Sequence, residues 1–130
     1  MKGDSLFNSP ALLLVDGVGA LLTAVAVGLV LPALQPWFGI PVWLLRVLGV
    51  VALGFAVFSL GRHLSGTGTS ASLRQIAIAN LSYCVATATI LVAYAGSATT
   101  LAYVYFGVEI VIVAVLARHE LRVARDPAAT

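Results

Sequence analysis

Four apolar runs, each close to the roughly 20 residues that a helix needs to cross a bilayer, occupy most of this chain of 130 residues. The first extends from Ala11 to about Leu34, the second from Val42 to Gly61, the third from Gln75 to Ala95 and the fourth from about Thr99 to Ala117. Ser9 and Pro10 read as the N-cap and first-turn proline of the first run, Pro32 and Pro36 end it, and Pro41 starts the second. None of the runs alternates with the period of a membrane strand, and a closed barrel needs more strands than this length supplies. The pattern predicts an all-α fold: one integral membrane domain, residues 1–130, built as a bundle of four transmembrane helices.

Composition excludes the soluble alternative. Hydrophobic residues make up 61% of the chain and charged residues 9%, against about half and about a quarter in soluble domains. Seven strong bases and five acids cannot cover a small soluble protein, so the lipid bilayer is the first partner. The bases stand singly at the ends of apolar runs rather than on one basic face, which argues against nucleic acid. The single Cys84 excludes an internal disulfide, a CxxC pair and a cysteine-based zinc site. Inside an apolar run it reads as a small hydrophobe.

The connections alternate in character. Residues 35–41 and 96–98 carry no charge, whereas 62–74 form a longer Gly/Ser/Thr-rich connector with Arg62, His63 and Arg74. Lys2 precedes the first run, and Arg118, Arg122 and Arg125 follow the fourth in a tail, 118–130, that continues the helix until Asp126-Pro127 stops it. The positive-inside rule then places both termini and the 62–74 connector in the cytoplasm. Trp37, Phe38, Trp43, Tyr94 and Tyr103 gather at the opposite end as an aromatic belt. Ala24-Val25-Ala26 has the form of a signal-peptide cleavage site. Asp16 interrupts the apolar stretch before it and the run continues past it, so the first helix is expected to stay uncleaved.

Small residues mark helix contacts in lipid, where no hydrophobic force drives helices together. Ala20, Ala24 and Gly28 recur every four residues in the first run, with Gly17 one turn before, and are expected to pack against a neighbouring helix of the same chain. The alternative is an interface with a second copy or a larger membrane assembly. The second run, with Gly49, Ala52, Gly54 and Ala56, fits either side.

Ionisable side chains at membrane depth are costly and point to function. Asp16 lies about 9 Å from the basic end of its run, Arg46 about 7 Å from the aromatic end, and Glu109 near the midplane. Asn80, Tyr83, Cys84 and Thr87 share one helical face, and Tyr105, Glu109, Val113, Leu116 and Glu120 share another. If these faces turn inward, Asp16, Asn80, Tyr83 and Glu109 form a polar seam, with Arg46 either lowered toward Glu109 or snorkelling outward. The bland alternative is hydrogen-bonded glue between helices, at about 0.6 kcal/mol per bond.

His63 and His119 fall at the same end, which raises haem ligation, but nothing fixes their rotation and no cofactor is expected. There is no HExxH helix, no Ser/His/Asp order and no phosphate-cradling glycine loop, so neither a metal site nor catalytic residues are assigned and the chain reads as a non-enzyme.

Leu14-Val15-Asp16-Gly17, Phe38-Gly39-Ile40-Pro41, Ile78-Ala79-Asn80-Leu81 with Tyr83-Cys84, and Tyr105-Phe106 with Glu109 together resemble a group of small, uncharacterised four-span membrane proteins from bacterial genomes. The resemblance covers nearly the whole chain and implies a fold class and a bacterial inner-membrane setting, with no activity attached. The small multidrug-resistance transporters also have four helices and a carboxylate in the first. Here that acid is Asp16, Glu109 is extra, and the aromatic residues expected around the first acid are absent, so that likeness is analogy. The leading expectation is a seam that binds or moves a proton, an ion or a small solute. The alternatives are an accessory subunit of a membrane assembly and, less favoured, a haem-binding redox protein.

Overall fold

A computed structural model describes residues 9–66 and 69–125, which form helices and turns with no strand among them. Lys2, the Asp126-Pro127 stop, Thr67 and Gly68, and the side chains of Ser9 and Pro10 lie outside what is described. Four helices are long and apolar enough to cross a membrane. Helix α1 (Ser9–Val25) continues through a π-helical turn (Ala26–Val30) into the short segment Leu31–Ala33. Helices α2 (Val42–Ser65), α3 (Ser70–Ala93) and α4 (Thr100–Arg125) complete the bundle. The wide turn directly precedes Pro32, whose ring has no N–H to offer the carbonyl four residues earlier; the Leu31 N–H instead reaches the Ala26 carbonyl.

The basic connector is shorter than hydropathy suggests. Helix α2 runs past Gly61 to Ser65, and α3 begins at Ser70 rather than Gln75. Gly66 ends α2 with a left-handed φ of 72° and donates its N–H to the carbonyls of Arg62 and His63. Thr69 starts α3, its Oγ1 accepting from the Ser72 N–H at 3.2 Å. Polar turns at a membrane surface remain helical because their backbone groups bond along the helix, a property hydropathy does not measure. Helix α4 likewise runs on to Arg125, as the tail reading expects. Its 26 residues span about 39 Å, more than the ~30 Å hydrocarbon core.

The helices pair as two hairpins, α1 on α2 and α3 on α4, with sparse contact between the pairs. In the first hairpin the backbones touch: a Cβ on Gly49 would stand 2.5 Å from the Gly28 Cα and 3.3 Å from the Ala24 carbonyl oxygen. A Cβ on Gly17 would meet the Leu60 side chain. The small-residue seam is therefore used within the chain, and Gly49, Ala52 and Ala56 of α2 turn inward while Gly54 faces out.

At the aromatic end, Thr99 donates its N–H to the Phe38 carbonyl at 3.1 Å, and Ser97 donates its hydroxyl to the Gly39 carbonyl at 2.8 Å. Gly39 is left-handed, with φ 75°, and a side chain there would strike the Ser97 carbonyl. Trp37, Trp43 and Tyr103 are exposed at this end, but Phe38 is a correction to the aromatic belt: it is buried, edge-on to Tyr105 at 6.0 Å.

The distribution of polarity is that of a chain bathed in lipid. Leu22, Leu29, Val50, Val85, Val92 and Val115 stand exposed, whereas Asp16, Ser59, Asn80, Thr87, Glu109 and Glu120 are buried. Polar groups turn inward because only there do they find partners.

Candidate functional site

Among the described residues, the buried acids Asp16, Glu109 and Glu120 lie where the hairpins meet. Asp16 projects from the middle of α1, one turn before Ala20, and is only 4% exposed. Its Oδ1 accepts from the Asn80 side-chain amide of α3 at 2.9 Å, and its Oδ2 from the Ser59 hydroxyl of α2 at 3.3 Å. The same Asn80 nitrogen donates to Oε1 of Glu120 on α4 at 3.4 Å. One residue from each of the four helices thus meets at this level. Around them, Leu12 and Leu13 of α1, Leu73 and Ile76 of α3, and Val123 and Ala124 of α4 form an apolar seal toward the basic end.

A second centre lies about 16 Å further along α4, eleven residues before Glu120. There the Tyr83 hydroxyl of α3 donates to Oε1 of Glu109 at 3.1 Å. Thr23 of α1 and Tyr105 of α4 line the same cavity wall as this carboxyl. Tyr83 is held edge-on by Phe55 of α2 at 6.3 Å. The Thr87 hydroxyl returns to the Tyr83 carbonyl at 2.8 Å. Cys84 Sγ rests on the Ile110 carbonyl at 3.7 Å as a packing group.

Between the centres is a cavity of about 450 Å³, a size suited to a small organic ligand. Asp16, Asn80, Tyr83, Tyr105, Thr23 and Glu109 supply its polar wall, and Ala20, Ala52, Phe55 and Leu116 its apolar wall. Its lining continues to Gly19, Val108 and Ile112, which are exposed on the outer faces of α1 and α4. The cavity therefore opens sideways, where the two hairpins touch least.

Of the residues expected in the seam, Asp16, Asn80, Tyr83 and Glu109 come together as the helical spacing implies. Arg46 does not join them: it is exposed on α2, because its long side chain can keep its charge at the interface. Ala20 lines the cavity, whereas Gly17, Ala24 and Gly28 pack on α2. Glu120, Ser59, Thr23 and Tyr105 are site residues that the sequence reading does not single out. Glu120 and Tyr105 carry a usable signal, since both share the helical face of Glu109, Val113 and Leu116.

Among the described residues no group of three or more His, Cys, Asp or Glu is placed to hold a metal. His63 and His119 are both half-buried near the basic end. No protein-family model matches the chain, and comparisons with curated proteins and with solved structures give no match.

Proposed function

We propose that the protein binds a small organic cation in the cavity between its hairpins and lets it pass from the bilayer toward the interior of the bundle. The observation that carries this reading is Glu109, a carboxyl 8% exposed, set in the cavity wall with the Tyr83 hydroxyl donating to it. A guest with a positive head and an apolar body satisfies both walls: its N–H groups meet Glu109, and its body meets Ala20, Ala52 and Phe55. The lateral opening at Gly19, Val108 and Ile112 admits such a guest from lipid.

Arg62, Arg74, Arg118, Arg122 and Arg125 are all exposed and belong to the end of the bundle opposite Trp37 and Trp43, which supports a cytoplasmic position for that end. The setting is then a bacterial cytoplasmic membrane, with both termini inside. Equilibrium binding of benzylammonium to protein in lipid vesicles tests the reading, with uncharged benzyl alcohol as control. Wild type should bind the cation at least tenfold more tightly than the alcohol, and Glu109→Gln should remove that preference. Equal binding of both guests to wild type would contradict the proposal.

A further inference from the structure

We propose that Asp16 and Glu120 together hold one proton, at a site separate from the Glu109 carboxyl. Hydrogen-bond donors are short at this site among the described residues. The two side chains present four carboxyl oxygens, and the hydrogens aimed at them come from Ser59 and Asn80. The Ser59 hydroxyl serves Asp16 Oδ2, while the two amide hydrogens of Asn80 serve Asp16 Oδ1 and Glu120 Oε1. Glu120 Oε2 is left buried with no hydrogen-bond partner, on a side chain 0% exposed. The one Asn80 nitrogen, 2.9 Å from Asp16 Oδ1 and 3.4 Å from Glu120 Oε1, holds the two carboxyls side by side.

Two ionised carboxylates in that position offer each other only acceptors, and they repel across an interior sealed by Leu13 and Ile76. One hydrogen held by the pair removes both difficulties, because it makes one of the two carboxyls a donor. Uptake forms a single O–H bond with a proton drawn from water and involves no electron transfer. Asp16 and Asn80 also line the cavity, so the pair borders it.

Among the described residues, the cations flanking this level of the bundle are placed as follows. Arg62 lies over the Phe58 ring at 5.4 Å, and Arg74 is exposed. His63 and His119 are half-buried. The site stands whether or not the cavity takes a cation.

Infrared spectroscopy of the full chain in lipid vesicles at neutral pH tests the proposal through the carbonyl stretch of protonated carboxylic acids. Wild type should show such a band that disappears in both Asp16→Asn and Glu120→Gln and persists in Glu109→Gln. Ser59→Ala keeps both acids and removes one donor to Asp16, so it should move that band without abolishing it, which decides the matter if the acid variants do not fold. A wild-type spectrum without the band, as a sodium ion between two carboxylates would give, overturns the proposal. So does a band that survives both acid substitutions or keeps its position in Ser59→Ala.

Discussion

The Asn80 amide reaches Asp16 at 2.9 Å across the boundary between the hairpins and touches Glu120 with the same nitrogen. It is the one neutral side chain that serves two buried acids. The sparse contact between hairpins is thereby fastened by polar groups at this level and by the Thr99 and Ser97 bonds at the aromatic end.

Loss of that amide should weaken the bundle. Asn80→Ala leaves two buried acceptors without their donor, at a cost of about 1–3 kcal/mol. Reversible unfolding in detergent measures the loss. A change below about 0.5 kcal/mol, the scatter of neutral substitutions, would show that the bridge contributes little.

The first hairpin should tolerate no side chain where its backbones meet. At Gly49 a Cβ falls 2.5 Å from the Gly28 Cα, and neither helix backbone can yield without shifting the other. Gly49→Ala is expected to destabilise by about 1–3 kcal/mol as overpacking does. Gly54→Ala, where nothing lies within 4 Å, should be neutral or slightly stabilising through helix propensity. The same unfolding assay compares the pair, and equal effects would sink the close-contact account.

Filling the cavity should separate binding from folding. Ala20→Leu places extra methyl groups in open space beside Asp16 and Glu109. Benzylammonium affinity should fall at least tenfold while the unfolding midpoint holds or rises. Retained affinity would place the guest elsewhere.

Arg46 supplies the converse. Since it is exposed and outside the cavity lining, Arg46→Ala should change benzylammonium affinity by less than about twofold, roughly 0.4 kcal/mol. A tenfold gain in affinity would mean that its charge opposes the guest after all.

Much of this was legible in the residues. Four apolar runs specify four helices, and the three-to-four-residue spacing of Asn80 and Tyr83, together with the depths of Asp16 and Glu109, brings the right side chains together. Glu120 follows Arg118 and His119, where hydropathy falls, and so reads as tail although α4 carries it straight into the bundle. Thr23 and Ser59 give no warning either. Hydroxyls in such helices often bond their own backbone, as Ser82 and Thr89 do at 2.9 and 2.8 Å, and only tertiary structure distinguishes the ones that reach across. The Gly28–Gly49 contact was half visible, because one helix shows its seam but not the rotation of its partner. Arg46 has a side chain long enough for either environment, and its position on the helix does not choose between them.

The central claim is that Glu109 receives the charged head of a guest in the cavity between the hairpins. The chain has only two glutamates, Glu109 and Glu120, so a distance measured to labelled glutamate is easily assigned. Solid-state NMR dipolar recoupling between nitrogen-15 benzylammonium and the carbon-13 carboxyls of glutamate, in lipid vesicles, measures it. The account predicts strong dephasing from a contact of about 4 Å or less, the reach of a charge-assisted hydrogen bond, present in Glu120→Gln and lost in Glu109→Gln. Dephasing that persists in Glu109→Gln, or none in wild type with the guest bound, would contradict it.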